Sequence, residues 1–291
     1  MAQDVDRWMN TLTEDAQTIS EDSLDLAGAQ YPWIQWVNGD KKLKSAGGAL
    51  YTGGWFCPGD NMFDSEPEGW TRGTLTHDNG DETEGWFAQR LALIPIRSRR
   101  CWRVQDAAGV SQFFSWDRYD EAKAVGSPRG KLQVLCLVQG LGDEPLVLTL
   151  SGMAGKAFAP GGREASVMNV MRHCIIDPIN ASLRKAKSKA KMTWRCFWLQ
   201  AGAPEGEPVF VTVGTGQNTS IVTPPQAIGL RPKMTMQEIY PFYIGREKLD
   251  LVNQLYADAE QWANAWEQAA GEPEAATEPV VANVEDADLP F

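Results

Sequence analysis

The chain has 291 residues, 43% of them hydrophobic and 22% charged, an ordinary globular composition long enough for one large domain or two small ones. No apolar run approaches the roughly 18 residues that cross a bilayer, and Met1-Ala2-Gln3-Asp4 lacks the basic-then-apolar layout of a signal peptide, so no membrane partner and a cytoplasmic location are expected. The net charge of −11 would exclude a nucleic-acid partner only if it were evenly spread; residues 1–25 and residues 271–291 each hold −6, which leaves the body at +1 and free to carry a basic face.

Residues 1–30 are acidic with sparse apolar residues and read as a flexible arm. From Tyr31 the character changes: Trp33, Ile34, Trp36 and Val37 favour a strand, Asn38-Gly39-Asp40 a turn, and a second extended segment is expected near Ala49–Cys57. Asp60–Asp81, rich in Gly, Pro, Asp and Glu, reads as an irregular connection. Strand signals resume at Gly85–Ile96 and at Arg100–Gln105, separated by the cations of Arg97-Ser98-Arg99-Arg100. Lys131–Val138 and Leu146–Leu150 alternate as a hairpin around Gly140–Pro145.

Helical spacing of Val167, Val170, Met171, Cys174 and Ile175 predicts a helix within Arg163–Ala190, interrupted or kinked at Asp177-Pro178 and ending in a run of cations. Two strands are expected after it, Met192–Gln200 and Pro208–Gly214. Arg246–Ala270 is the clearest helix, with Leu249, Val252, Leu255, Tyr256, Ala259, Trp262 and Trp266 on one broad face that reads as core. Gly271 stops it, and a linker follows.

Strands, a helix and two further strands over Gly85–Gly214 fit a mainly β fold of the α+β class, an OB-like β-barrel with a helix between strands, extra strands and a C-terminal helix; an irregular β-sandwich is the competing architecture. The expected organisation is a flexible acidic N-terminus (1–30), one elaborated domain (31–270) and a disordered acidic tail (271–291).

Enzyme signatures are weak. Gly152-Met-Ala-Gly155-Lys156-Ala157 has the wrong spacing for a phosphate loop and no hydroxyl for magnesium, so it reads as a turn. Gly214-Thr-Gly216-Gln-Asn-Thr lacks the third glycine of a dinucleotide fingerprint. Asp120-Glu121-Ala-Lys123 sits in a polar segment and reads as solvated surface. The five cysteines have no C-x-x-C pair and read as reduced, buried thiols; no metal, no cofactor and no catalysis are expected.

Aromatic residues interleaved with cations remain. Arg97, Arg99, Arg100, Trp102 and Arg103 form one such segment, and Lys189, Lys191, Trp194, Arg195, Phe197 and Trp198 a second. Single-stranded nucleic acid needs both types, because phosphates pair with Lys and Arg while unpaired bases stack on rings. If Met192–Gln200 is a strand, either Trp194 and Trp198 or Arg195 and Phe197 face the ligand.

The chain closes on Glu285-Asp286-Ala287-Asp288-Leu289-Pro290-Phe291, carboxylates followed by an apolar wedge and an α-carboxylate. Pro290 cannot continue a helix, so an exposed peptide is expected, fit for an apolar pocket with a basic rim. The segment resembles the acidic C-terminal tip of bacterial single-stranded DNA-binding proteins, a run of Asp followed by Ile-Pro-Phe; Asp286, Asp288, Pro290 and Phe291 match, Leu289 replaces Ile, and Ala287 interrupts the Asp run. The resemblance covers these seven residues only and implies that Asp286, Asp288, Leu289, Pro290 and Phe291 bind replication, recombination or repair enzymes. A divergent body with such a tip suggests a phage or other mobile element. The expected function is single-stranded DNA binding and protection with recruitment through the tip; the alternative is a DNA-processing enzyme, such as a nuclease or recombination factor, that carries the same peptide.

Overall fold

The computed structural model describes residues 31–38, 53–59, 67–76, 82–106, 111–160, 166–204, 211–213 and 220–264, which form a mixed α+β fold around a large, mostly antiparallel sheet. The acidic N-terminus, the linker after Gly271 and the tip residues Asp286, Asp288, Leu289, Pro290 and Phe291 lie outside the described residues. The strands are β1 (Trp33–Val37), β2 (Gly54–Pro58), β3 (Thr71–Thr76), β4 (Glu82–Ala88), β5 (Arg90–Gln105), β6 (Ser111–Ser115), β7 (Arg129–Val138), β8 (Leu146–Ser151), β9 (Leu199–Gly202), β10 (Val211–Val213), β11 (Ser220–Val222) and β12 (Gln226–Ala227). The helices are α1 (Tyr119–Val125), α2 (Gly152–Phe158), α3 (Val167–Met171), α4 (Asp177–Lys185), α5 (Met236–Ile239), α6 (Arg246–Asp258) and α7 (Glu260–Asn264). Among the described residues no helix is long and apolar enough to cross a membrane.

Period-two alternation builds the sheet. Leu132, Val134, Cys136 and Val138 of β7 join Leu146, Leu148 and Leu150 of β8 in one core, together with Ile34 and Trp36 of β1, Trp55 and Cys57 of β2, Trp86 and Ala88 of β4, and Leu91 and Leu93 of β5. Across hydrogen-bonded neighbours, β5 pairs with β7, β7 with β8, β8 in parallel with β1, β1 with β2, and β2 with β4. Only Gln89 separates β4 from β5, so the path ends on the strand that immediately precedes β5 in the chain. The inward positions shift at Gln89 from Trp86 and Ala88 to Leu91 and Leu93, a one-residue slip that keeps both halves of the bent strand facing the same core. Trp55, fully buried, crosses the bend and donates its Nε1–H to the Ala201 carbonyl of β9 at 2.9 Å.

Ile94 and Ile96 alternate with Leu91 and Leu93 and face the other side of the sheet, and a second slip in the β5–β7 register, between Pro95 and Arg97, turns Arg97 and Arg99 to that side as well. There Ile94, Ile96, Leu135, Leu137 and Val147 pack beneath Val252 of α6, Ala259 at the junction of the two helices and Trp262 of α7. Helices α2 and α3 and the turn after α3 contribute Phe158, Val167, Met168, Met171, Ile175 and Ile176 to the first core. All five cysteines are buried, and burial pushes the Cys57 and Cys136 thiols up to about 12, so both remain protonated and pack as small hydrophobes.

Several sequence expectations are corrected. Gly85–Ile96 and Arg100–Gln105 are not two strands broken at the cations; β5 runs unbroken from Arg90 to Gln105, and Gly85 belongs to β4. Met192–Gln200 is not one strand, because a 3-10 turn occupies Trp194–Cys196 and β9 starts only at Leu199. The Gly152–Ala157 segment is helical, with Met153, Ala154 and Phe158 buried. Asp60–Asp81 contains β3, and the polar segment around Asp120 forms α1. Asp177-Pro178 interrupts the regular helix as expected: the turn before it, Arg172–Ile176, widens to π spacing, which relieves the clash and the missing donor that Pro178 introduces, and the helix resumes at Asp177. The strands that follow this helix do not extend the β5–β7–β8 path, whose next members are instead β1 and β2.

Candidate nucleic-acid interface

The first basic segment divides into two groups with different surroundings. Arg97 donates its Nε–H to the Tyr256 carbonyl at 2.7 Å and lays its guanidinium 3.9 Å from the Tyr256 ring centre. Arg99 donates to the Trp262 carbonyl at 2.5 Å and to Gln133 Oε1 at 2.8 Å, with its guanidinium 4.1 Å from the Trp262 ring centre. Arg195, from the second basic segment, lies 3.6 Å from the same Tyr256 ring. Two guanidinium carbons so near one ring centre cannot share a face, so Tyr256 is held between Arg97 and Arg195. The structure thus brings the two basic segments together, but at the C-terminal helices. A guanidinium over a ring is worth about 0.5–1 kcal/mol where the ring is open, as at Tyr256, and about 2 kcal/mol where it is buried, as at Trp262, so with their bonds to backbone carbonyls Arg97 and Arg99 act first as anchors for α6 and α7, and Arg195 joins them at Tyr256.

The aromatic members of the second segment divide in the same way. Phe197, expected among the contacts, is 1% exposed in the first core and bridges to Tyr243, so its ring is not at a surface. Trp194 packs on that core beside Met168, whereas Trp198 packs in the second core under the C-terminal helices. The 3-10 turn explains why: it breaks the alternation that would have put Trp194 and Trp198 on one face.

Lys189 and Lys191 are exposed, and they belong to a larger group that sequence inspection saw only as a helix end. Residues 166–204 carry seven cations (Arg172, Arg184, Lys185, Lys187, Lys189, Lys191 and Arg195) against one acid, Asp177, a balance of +6. Arg184 and Lys185 lie in the last turn of α4, where they complement the helix dipole. Lys187, Lys189 and Lys191 lie beyond the helix, where that account does not reach.

Their backbone is fixed. Lys187 adopts the left-handed conformation with φ of 55°, its N–H bonds the Arg184 carbonyl and the Ser188 N–H bonds the Leu183 carbonyl, a Schellman cap with lysine where glycine is usual. Ala190 N–H bonds the Ser188 hydroxyl, and Asn180 clamps Met192 through both of its amide atoms at 2.8 and 3.0 Å. Five cations within eight residues, Arg184 to Lys191, are therefore presented by a defined turn.

Arg100, Trp102 and Arg103 sit on the distal part of β5, past the C-terminal helices, where β6 replaces β9 as a neighbour. Arg100 is exposed, and Trp102 and Arg103 are half-buried. Trp102 stacks on Trp116, a residue that carried no sequence signal because its basic partners come from another strand.

Among the described residues no group of three or more His, Cys, Asp or Glu side chains is gathered in the manner of a metal site. Glu121, one of the carboxylates considered for metal binding, pairs with Arg118, and that hydrogen bond holds its carboxyl below the usual range. Known protein families, curated proteins and solved structures were compared with the chain, and none of them matches it.

Proposed function

We propose that this is a non-catalytic single-stranded DNA-binding protein with an OB-like barrel and a C-terminal tip that recruits replication, recombination or repair enzymes. The observation that carries the proposal is the cationic lobe: in a chain of net charge −11, residues 166–204 hold +6, and Arg184, Lys185, Lys187, Lys189 and Lys191 are all exposed on a fixed turn. A surface of that kind attracts a polyanion, and release of condensed counterions makes phosphate binding favourable. The barrel is supported by the path of neighbours that returns through Gln89, with the β4–β5 strand, β7, β8, β1 and β2 as five staves and one shared core. The tip is supported by the match of Asp286, Asp288, Pro290 and Phe291 to the acidic terminus described above.

Titration of the full chain with single-stranded DNA, single-stranded RNA and duplex DNA at two salt concentrations tests the binding function. Single-stranded DNA is expected to bind more tightly than duplex, with quenched tryptophan fluorescence and lower affinity at the higher salt. Equal affinity for duplex would count heavily against the proposal, and magnesium-dependent degradation of the labelled DNA would place the protein among DNA-processing enzymes instead.

Recruitment has its own test. Phe291→Ala changes no formal charge and is expected to leave DNA affinity unchanged while reducing capture of partner enzymes more than tenfold, because burying a Phe ring is worth roughly 1.5–3 kcal/mol. Capture that survives Phe291→Ala but fails after Asp286→Asn and Asp288→Asn would reduce the tip to a screened electrostatic tail.

A further inference from the structure

We propose that the outer end of β5 carries a separate stacking site for an unpaired base, formed by Trp102, Trp116 and Tyr119, an inference that rests on the single-stranded DNA reading. Past the C-terminal helices, β5 pairs with β6 and is capped by α1, and Val104, Phe114 and Ala122 form a small core of their own beneath them. Gly126 closes α1 onto this arm, since a Cβ there would stand 2.6 Å from the Gln105 carbonyl oxygen and 2.9 Å from Val104.

Three rings lie over that small core. Trp102 and Trp116 are parallel within 10°, with centres 4.0 Å apart, and the Trp102 Nε1–H donates to the Trp116 carbonyl at 2.9 Å, which fixes the pair. Tyr119 meets Trp102 edge-on at 4.9 Å and is 40% exposed, one of few large apolar side chains among the described residues to be so open. Val104, Phe114 and Ala122 form the buried centre of the arm and Trp102 and Val125 pack against it, while both Trp rings stay only half-buried. A purely structural cluster of this size would be expected to turn its rings inward.

The surrounding charges suit a strand that approaches by its bases. Exposed Arg100 places its guanidinium 5.8 Å from the Trp116 ring centre, and Lys123 Nζ lies 5.9 Å from that of Tyr119, so a cation stands beside each outer ring. Arg118 is taken up by Glu121, and Asp117 and Asp120 nearby oppose a dense phosphate track. The arm is therefore poor at holding backbone alone and suited to a base face with a single flanking phosphate. Stacking uses the face common to all four bases, so little sequence preference follows, and duplex DNA, whose faces are already covered, is excluded.

The test compares the full-length chain with its Tyr119→Ala, Tyr119→Phe and Trp116→Ala variants on two probes, an oligothymidylate and the same backbone made abasic. Tyr119→Ala is expected to weaken oligothymidylate binding about tenfold, from the cost of one lost stack, with the salt slope unchanged. Tyr119→Phe should restore it, Trp116→Ala should weaken it at least as much, and the abasic probe should bind every variant as it binds the parent. Equal affinity of parent and Tyr119→Ala for oligothymidylate, or equal losses on both probes, would overturn the stacking site while leaving single-stranded DNA binding in place. A parent chain that binds neither probe would overturn both.

Discussion

Combined replacement of Lys187 by Gly and of Lys189 and Lys191 by Ala is expected to lower the slope of log affinity for single-stranded DNA against log salt by about 2, since each phosphate neutralised on a single strand contributes about 0.7. Over a fourfold change in salt, that slope corresponds to roughly a twentyfold change in affinity that the variant no longer shows. These three cations follow the last turn of α4, so their removal leaves the helix dipole pairing of Arg184 and Lys185 intact. The glycine also relieves a left-handed lysine, so melting should stay level or rise slightly. A slope identical to that of the parent would move the phosphate grip away from this turn and remove the main support for the proposed function.

The second large effect concerns the fold. Trp55→Ala is expected to destabilise the protein by about 3–5 kcal/mol, the usual cost of truncating a fully buried aromatic, and to leave the Ala201 carbonyl without its indole donor. That is a large part of the roughly 5–15 kcal/mol by which a domain is normally stable. Trp55 is singled out because it stands where β2, the β4–β5 bend and β9 meet, and the backbone there is already in contact: a Cβ on Gly54 would fall 2.9 Å from the Ala88 carbonyl oxygen, and one on Gly202 would fall 2.7 Å from the Arg90 Cα. Chemical denaturation would read the change, and a loss below about 1 kcal/mol would mean that this junction is held by something other than the indole.

How much of this could be seen in advance depended on how local its cause was. The β7–β8 hairpin and α6 carry their own signals, alternation in Leu132 to Val138 and a broad apolar stripe from Leu249 to Ala259, and both were legible. The unbroken course of β5 was not, because Arg97, Ser98, Arg99 and Arg100 look like a loop until Tyr256 and Trp262 supply their partners more than 150 positions later. For the same reason Tyr256 read as core, when its ring is the surface on which two arginines rest. The alternation of Met192 to Gln200 imitated a strand, but Asn180 clamps Met192 and the bonds of Cys196 N–H to the Thr193 carbonyl and of Phe197 N–H to the Trp194 carbonyl fold the segment into a turn, leaving only an isolated bridge from Phe197 to Tyr243. The meeting of β2 with β9 at the Gln89 bend left no local trace, since Trp55 and Ala201 lie 146 positions apart. Of the interface, the residue types were legible and their roles were not: Lys189 and Lys191 are where a cation run should be, Phe197 is core, and Trp116 and Tyr119 emerged only once β6 and α1 were folded against β5.

The contacts that fasten the C-terminal helices have a mechanical side. The last described element is α7, so a load applied at its C-terminal end acts on that helix first. It meets Trp262 on Arg99 first and reaches Tyr256, between Arg97 and Arg195, only after the first contact has yielded. Anchors loaded one after another peel, whereas anchors loaded side by side resist in shear, and peeling needs the smaller force. A pull on the end of α7 would thus strip α7 before α6, and the first side chain uncovered would be Arg99 of β5.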